Sequence, residues 1–136
     1  MPARRVLQDG PMKTILTSEA PIPVGHYSQA IVHDGLVYVA GQLPIDPRRA
    51  GFVPETIEEQ TELTLRNVEA ILRSAGTSLN RLLLVTIYLS DLSLWDRVNT
   101  IYSKVLGPHR PARAIVPTLP LHFGCLIEIQ VIAAVG

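Results

Sequence analysis

The stretch LIEIQVIAAV, residues Leu126 to Val135, decides how the rest of the chain is read. It is rich in β-branched residues, carries neither glycine nor proline, and is too short to cross a bilayer, so it is a strand, the longest in the chain. Alternation places Ile127, Ile129, Val131 and Ala133 on one face, and Leu126, Glu128, Gln130 and Ile132 on the other. A second run, LLLVTIYL from Leu82 to Leu89, is apolar throughout and reads as another buried strand. A sheet built on these two strands needs cover on both sides.

The elements around them follow from periodicity and turn chemistry. Upstream, Thr14 to Thr17 is a short β-prone run, and the SEAPIPVG stretch after it is kept irregular by its prolines and glycine. Ser28 to Val32 and Leu36 to Ala40 flank His33-Asp34-Gly35, a strong hairpin signal. Pro44, Pro47, Gly51 and Pro54 make the next stretch a surface loop. Thr56 with Glu59 is a capping box, and Leu65, Val68, Ile71, Leu72 and Ala75 keep helical spacing up to Gly76. After the Leu82 strand, Asp91 opens a second helix with Trp95, Val98, Tyr102 and Val105 on its apolar stripe, closed by Gly107-Pro108. Ala112 to Pro117 is a strand that leads towards Leu126. The order βββαβαββ implies an α+β fold, a mixed six-stranded sheet with two helices on one face. Two helices cover only that face. Roughly 25 cal/mol for each square ångström of apolar surface left in water makes a bare second face costly, so subunits are expected to close it against each other.

Composition narrows the function. At 136 residues the chain suits one domain, residues 12–136, behind a loose extension at residues 1–11. Twelve basic and twelve acidic residues cancel, which argues against nucleic acid and anionic membrane as partners. The lone Cys125 forms no internal disulfide, and His26, His33, His109 and His122 show no ligand spacing, so no metal site is expected. No apolar run reaches the length of a span, the start lacks a secretory h-region, and a cytoplasmic location is expected. Neither a phosphate loop nor G-x-S-x-G nor H-E-x-x-H occurs.

A few polar residues break the packing pattern. Glu128 interrupts an apolar strand, and a carboxylate there costs several kcal/mol unless it is paired or hydrogen-bonded. Arg113, in PARAIV, is the obvious candidate partner. The plain reading is a structural Arg113–Glu128 pair; the functional one has Arg113 holding a substrate carboxylate in a two-point fork. Tyr27 either packs at a loop-to-strand junction or offers its hydroxyl to a pocket. Gly41 is either a turn glycine or a point of close approach. Asn99, a poor helix former, is either solvent-exposed or held for a hydrogen bond. Cys125 is expected to be an apolar filler rather than a nucleophile.

APIPVGHYSQAI, VYVAGQLPIDP, TLRNVEAIL, VTIYLSDL with VNTIY, PARAIV and LIEIQVIAA stand in an order that resembles the RidA/YjgF family, once called liver perchloric-acid-soluble proteins. The resemblance covers about Lys13 to Ala134. It implies a chorismate-mutase-like fold, a homotrimer forming a barrel, and clefts between subunits where 2-imino acids are hydrolysed to 2-keto acids and ammonia without a cofactor. On the matching positions, Arg113 would hold the substrate carboxylate and Glu128 the attacking water, with Tyr27, Gly41 and Asn99 lining the cleft. Two positions depart from the main branch: Ile115 where cysteine is frequent, and Ala40 where serine is frequent. Both make the pocket more apolar. Two other readings remain open, an endoribonuclease and a non-catalytic trimer that binds a small carboxylate.

Overall fold

The computed structural model describes residues 10–136. Most of the expected N-terminal extension lies outside the described residues. Six strands and two long helices follow in the order β1 (Lys13–Ile15), β2 (Ala30–His33), β3 (Leu36–Gln42), α1 (Ile57–Ser74), β4 (Leu82–Leu89), α2 (Trp95–Leu106), β5 (Ala112–Pro117) and β6 (Ile127–Ala134). They form one sheet in the order β1-β2-β3-β6-β4-β5. Every seam is antiparallel except β4–β5, whose strands are joined through α2, the kind of crossover that a parallel pair needs. β6 slots between β3 and β4. A central position explains its length and its lack of breakers.

Both helices lie on one face. Leu65, Val68, Ile71 and Leu72 of α1, with Val98, Tyr102 and Leu106 of α2, pack with Val37, Val39, Val85, Ile87, Leu89, Ile127, Ile129 and Val131 of the sheet, and all are buried. At about 1.5–3 kcal/mol per large apolar side chain, this layer is the main source of stability. Thr56 caps α1 by accepting from the Glu59 amide at 3.2 Å. The β2–β3 hairpin turns through Asp34 (φ 49°) and Gly35 (φ 77°), the left-handed pair that an Asp-Gly turn supplies at low cost.

Some local readings shift. The first strand is Lys13–Ile15 rather than Thr14 to Thr17, because only that segment pairs with β2. Asp91 caps a single 3-10 turn at Leu92–Leu94, accepting from the Ser93 amide at 3.0 Å, and α2 begins after it. Leu106, not Val105, completes the buried stripe of α2. β4 is not buried throughout: Leu84, Thr86 and Tyr88 stand with Glu128, Gln130 and Ile132 on the helix-free face, where Leu84 is 40% exposed. Among the described residues, no helix is long and apolar enough to cross a membrane.

Candidate active site

Two polar centres form, on opposite faces of the sheet. The first is built around Arg113. Its register partner in β4 is Val85, a core residue, so Arg113 points to the helix side of the edge strand β5. There its guanidinium carbon lies 4.6 Å from the ring centres of both Trp95 and Tyr102, and Nη1 donates to Asn99 Oδ1 at 3.0 Å. Asn99 therefore has the hydrogen bond its place on a helix called for. Two aromatic faces and one amide hold the cation in a single orientation and leave most of its five N–H donors free. Among the described residues no carboxylate pairs with it. Arg113, Asn99, Tyr102, Ser103, His109 and Arg110 line a cavity of about 490 Å³. Burial pushes the Tyr102 hydroxyl above the usual phenol range against the pull of the Arg113 charge.

The second centre is built around Glu128. Its register partner is Tyr88, which places it on the open face, with a cavity of about 450 Å³ that Tyr27, Ala40, Gly41, Leu43, His122 and Phe123 also line. The plain reading of Arg113 and Glu128, a structural ion pair, is not met within one chain. β5 runs parallel to β4 with Arg113 opposite Val85, and that register turns the guanidinium away from the Glu128 face. Half-buried and unpaired among the described residues, the Glu128 carboxyl is raised above the usual range by burial, with the nearby His122 pulling it partly back.

Gly41 belongs to this second centre. One extra residue stands in β3 between Val39, opposite Val131, and Gln42, opposite Ile129, a bulge that brings the Gly41 backbone against the carboxylate. A Cβ there would sit 2.6 Å from Glu128 Oε2 and 3.0 Å from Cδ, so a side chain would push the carboxylate away. Tyr27, 52% exposed, lies on the cavity wall rather than in the core. Cys125 is buried as a filler, its thiol pushed up first by burial and then by the Glu128 charge, the opposite of an activated nucleophile.

Three buried amides that sequence reasoning passed over hold the frame. Gln29 accepts from the Thr17 amide at 2.7 Å and donates to Thr17 O and Pro21 O, pinning the loop that carries Tyr27. Gln60 accepts from the Leu126 amide at 2.9 Å and donates to Pro54 O at 2.8 Å, fixing the entry to β6. Asn67 donates to Leu43 O and Ile45 O, fixing the chain just past Gly41. Their signal was present: Gln60 and Asn67 stand seven residues apart on the apolar stripe of α1. His122 and Phe123 were missed as lining residues as well, since their stretch has no periodicity. A larger cavity, about 690 Å³, lies between α1 and the Asp46–Arg48 loop, but its Arg48, Arg66 and Arg73 are paired with Glu19, Glu62 and Glu69.

Comparison with known proteins places this geometry. The family model described as Endoribonuclease L-PSP matches residues 17–135. A RutC family protein of Pyrococcus abyssi is 44% identical over 89% of this chain and 95% of its own. The rat protein named 2-iminobutanoate/2-iminopropanoate deaminase is 37% identical over 91% of this chain and 90% of its own. A solved structure of Escherichia coli TdcF with bound serine superposes with a TM-score of 0.87 at 31% identity, covering 91% of this chain and 99% of that one. With the sheet order, the two helices and nearly the whole chain in agreement, the protein belongs to the RidA/YjgF family.

Proposed function

We propose that the protein hydrolyses 2-imino acids to 2-keto acids and ammonia, in sites where the Arg113 centre of one subunit meets the Glu128 centre of the next. The observation that carries this reading is Arg113 itself: a cation clamped between Trp95 and Tyr102, hydrogen-bonded by Asn99, with no acidic partner among the described residues. Such a group is prepared for an anion that enters from outside, and its planar fork suits a carboxylate. A carboxylate-bearing ligand is in keeping with the serine held by the similar TdcF and with the name of the rat relative.

The chemistry asks little more of the site. Water oxygen adds to C2 of the imine while Glu128 takes a water proton. The C=N double bond becomes a single bond, and that proton passes to nitrogen. The C2 hydroxyl then gives its proton, by way of Glu128, to the nitrogen as the C–N bond breaks, so that ammonia leaves and the keto group forms. Imine plus water thus gives keto acid plus ammonia, with no change of oxidation state and no call for a cofactor. A carboxyl whose affinity for protons is raised by burial is a better proton acceptor than a freely solvated one. Arg113 contributes position, the larger part of the barrier reduction for an already electrophilic carbon.

The test is the release of ammonia and keto acid from imines generated in solution by a pyridoxal-phosphate dehydratase. Arg113→Ala loses the charge-assisted anchor and is expected to lose about 2–5 kcal/mol of transition-state stabilisation, at least a 30-fold fall in kcat/KM. If a folded Arg113→Ala protein hydrolyses imine at the normal rate, the assignment fails. A carrier that merely binds a carboxylate needs Arg113 alone; Glu128→Gln should leave its ligand affinity intact and have no turnover to abolish.

A further inference from the structure

The turn that leads into β6 carries a feature the proposed chemistry does not use. Phe123 is held at φ 60° and ψ 23°, the left-handed region, where a bulky side chain is a true outlier. Within one chain no burial of the ring offsets that strain, for Phe123 is 67% exposed there. Its ring leans on His122, with centroids 5.8 Å apart, and it lines the cavity that holds Glu128. Backbone strain kept without a packing return points to what the strained residue presents.

The rest of the wall agrees with it. Val24, Ala40 and Leu43 line the same cavity, and Val24 is 89% exposed. A cavity of about 450 Å³ lies in the size range of roughly 300–1,000 Å³ that takes drug-sized ligands, far more than a three-carbon imino acid fills. With the substrate carboxylate on Arg113 and its C2 facing Glu128, the third substituent on C2 is left to meet this apolar wall.

Resting on the deaminase reading above, we infer that the His122–Phe123 turn is a specificity element, and that the preferred substrates are 2-imino acids with large apolar side chains, branched or aromatic. Phe123 is the wall that receives the side chain. The strained turn sets its direction, and Ala40 and Leu43 complete the surface.

The experiment compares imines released in situ from alanine, leucine and phenylalanine by an amino-acid oxidase, together with calorimetric binding of the matching 2-oxo acids. The isobutyl and benzyl imines should exceed the methyl imine in kcat/KM by at least about 10-fold, since a single methylene in an apolar pocket is worth roughly 10–200-fold. The 2-oxo acids should bind in the same order. Phe123→Gly should shrink that ratio towards one, chiefly through KM, while the thermal midpoint holds or rises as the strained turn relaxes. A methyl imine used best, or a ratio untouched by Phe123→Gly, overturns the inference and leaves the deaminase reading standing. A Phe123→Gly protein that falls apart into smaller species with its preference unchanged also overturns it, because the ring then serves an interface. No acceleration with any of the three imines sinks the deaminase reading and this inference with it.

Discussion

Glu128 is the residue at which stability and chemistry pull in different directions. Burial raises its carboxyl in the folded protein, with the His122 charge opposing, while in the unfolded chain it titrates near the ordinary value of about 4.3. Between those two pH values the folded state holds a proton that the unfolded chain has released, so stability falls as the pH climbs through the interval. Below the unfolded value the group costs nothing; above the folded value its cost is complete. Glu128→Gln, which carries no charge at any pH, is therefore expected to have a higher thermal midpoint than the parent at pH 7, with the gap closing as the pH falls below about 4, and to have lost turnover. Equal midpoints at pH 7 would show that the carboxylate is already well solvated or paired. The anomaly at Glu128 was legible because strand alternation exposes a carboxylate among isoleucines. Its relation to Arg113 was not, because the direction of Arg113 depends on β5 running parallel to β4 after the α2 crossover, a long-range fact that no local pattern holds. The register also separates the roles: Asn99 and Arg113 share one centre, Tyr27, Gly41 and Glu128 the other.

At the scale of elements, the loops around the Glu128 cavity owe their shape to buried amides rather than to packing alone. Gln60 is the clearest case, since its one side chain joins α1, the segment at Pro54 and the start of β6. Gln60→Leu keeps the volume and leaves a part-buried N–H at Leu126 and a buried carbonyl at Pro54 without partners, at about 1–2 kcal/mol for each group. A fall of roughly 2–4 kcal/mol in unfolding free energy is expected, read as a lower urea midpoint at unchanged slope and fixed protein concentration. An unchanged midpoint would mean that water takes over both bonds. The boundaries of α1, β4 and β5 and the central strand were legible from caps, glycines and apolar runs, whose causes are local. The bulge at Ala40-Gly41 was not, because it arises from how β3 matches β6, and neither strand alone records the extra residue.

For the whole molecule, the separation of the two centres means that the proposed chemistry calls for an oligomer. Arg113 lies at the outer strand of the sheet, on the helix side, while Glu128 lies on the open side among Leu84, Tyr88 and Ile132, so one chain does not bring both to the same small substrate. An edge strand and an open apolar face are surfaces that a neighbour covers with profit, and a closed ring of three satisfies every copy in the same way. A homotrimer with composite sites makes a prediction that no intramolecular site shares. Arg113→Ala and Glu128→Gln proteins, each inactive alone, are unfolded together in equal amounts and refolded as a mixture. In a mixed ring, a site is whole only where an intact Arg113 from one subunit faces an intact Glu128 from its neighbour, so random assembly leaves about one site in four whole and restores about a quarter of the parental activity. Light scattering on the same samples reports the size of the ring. Restored activity in a trimer supports both the interface and the division of labour across it. A mixture as dead as its parts, in rings shown by mass spectrometry to contain both variants, would put Arg113 and Glu128 to work within one chain and rule out the composite site.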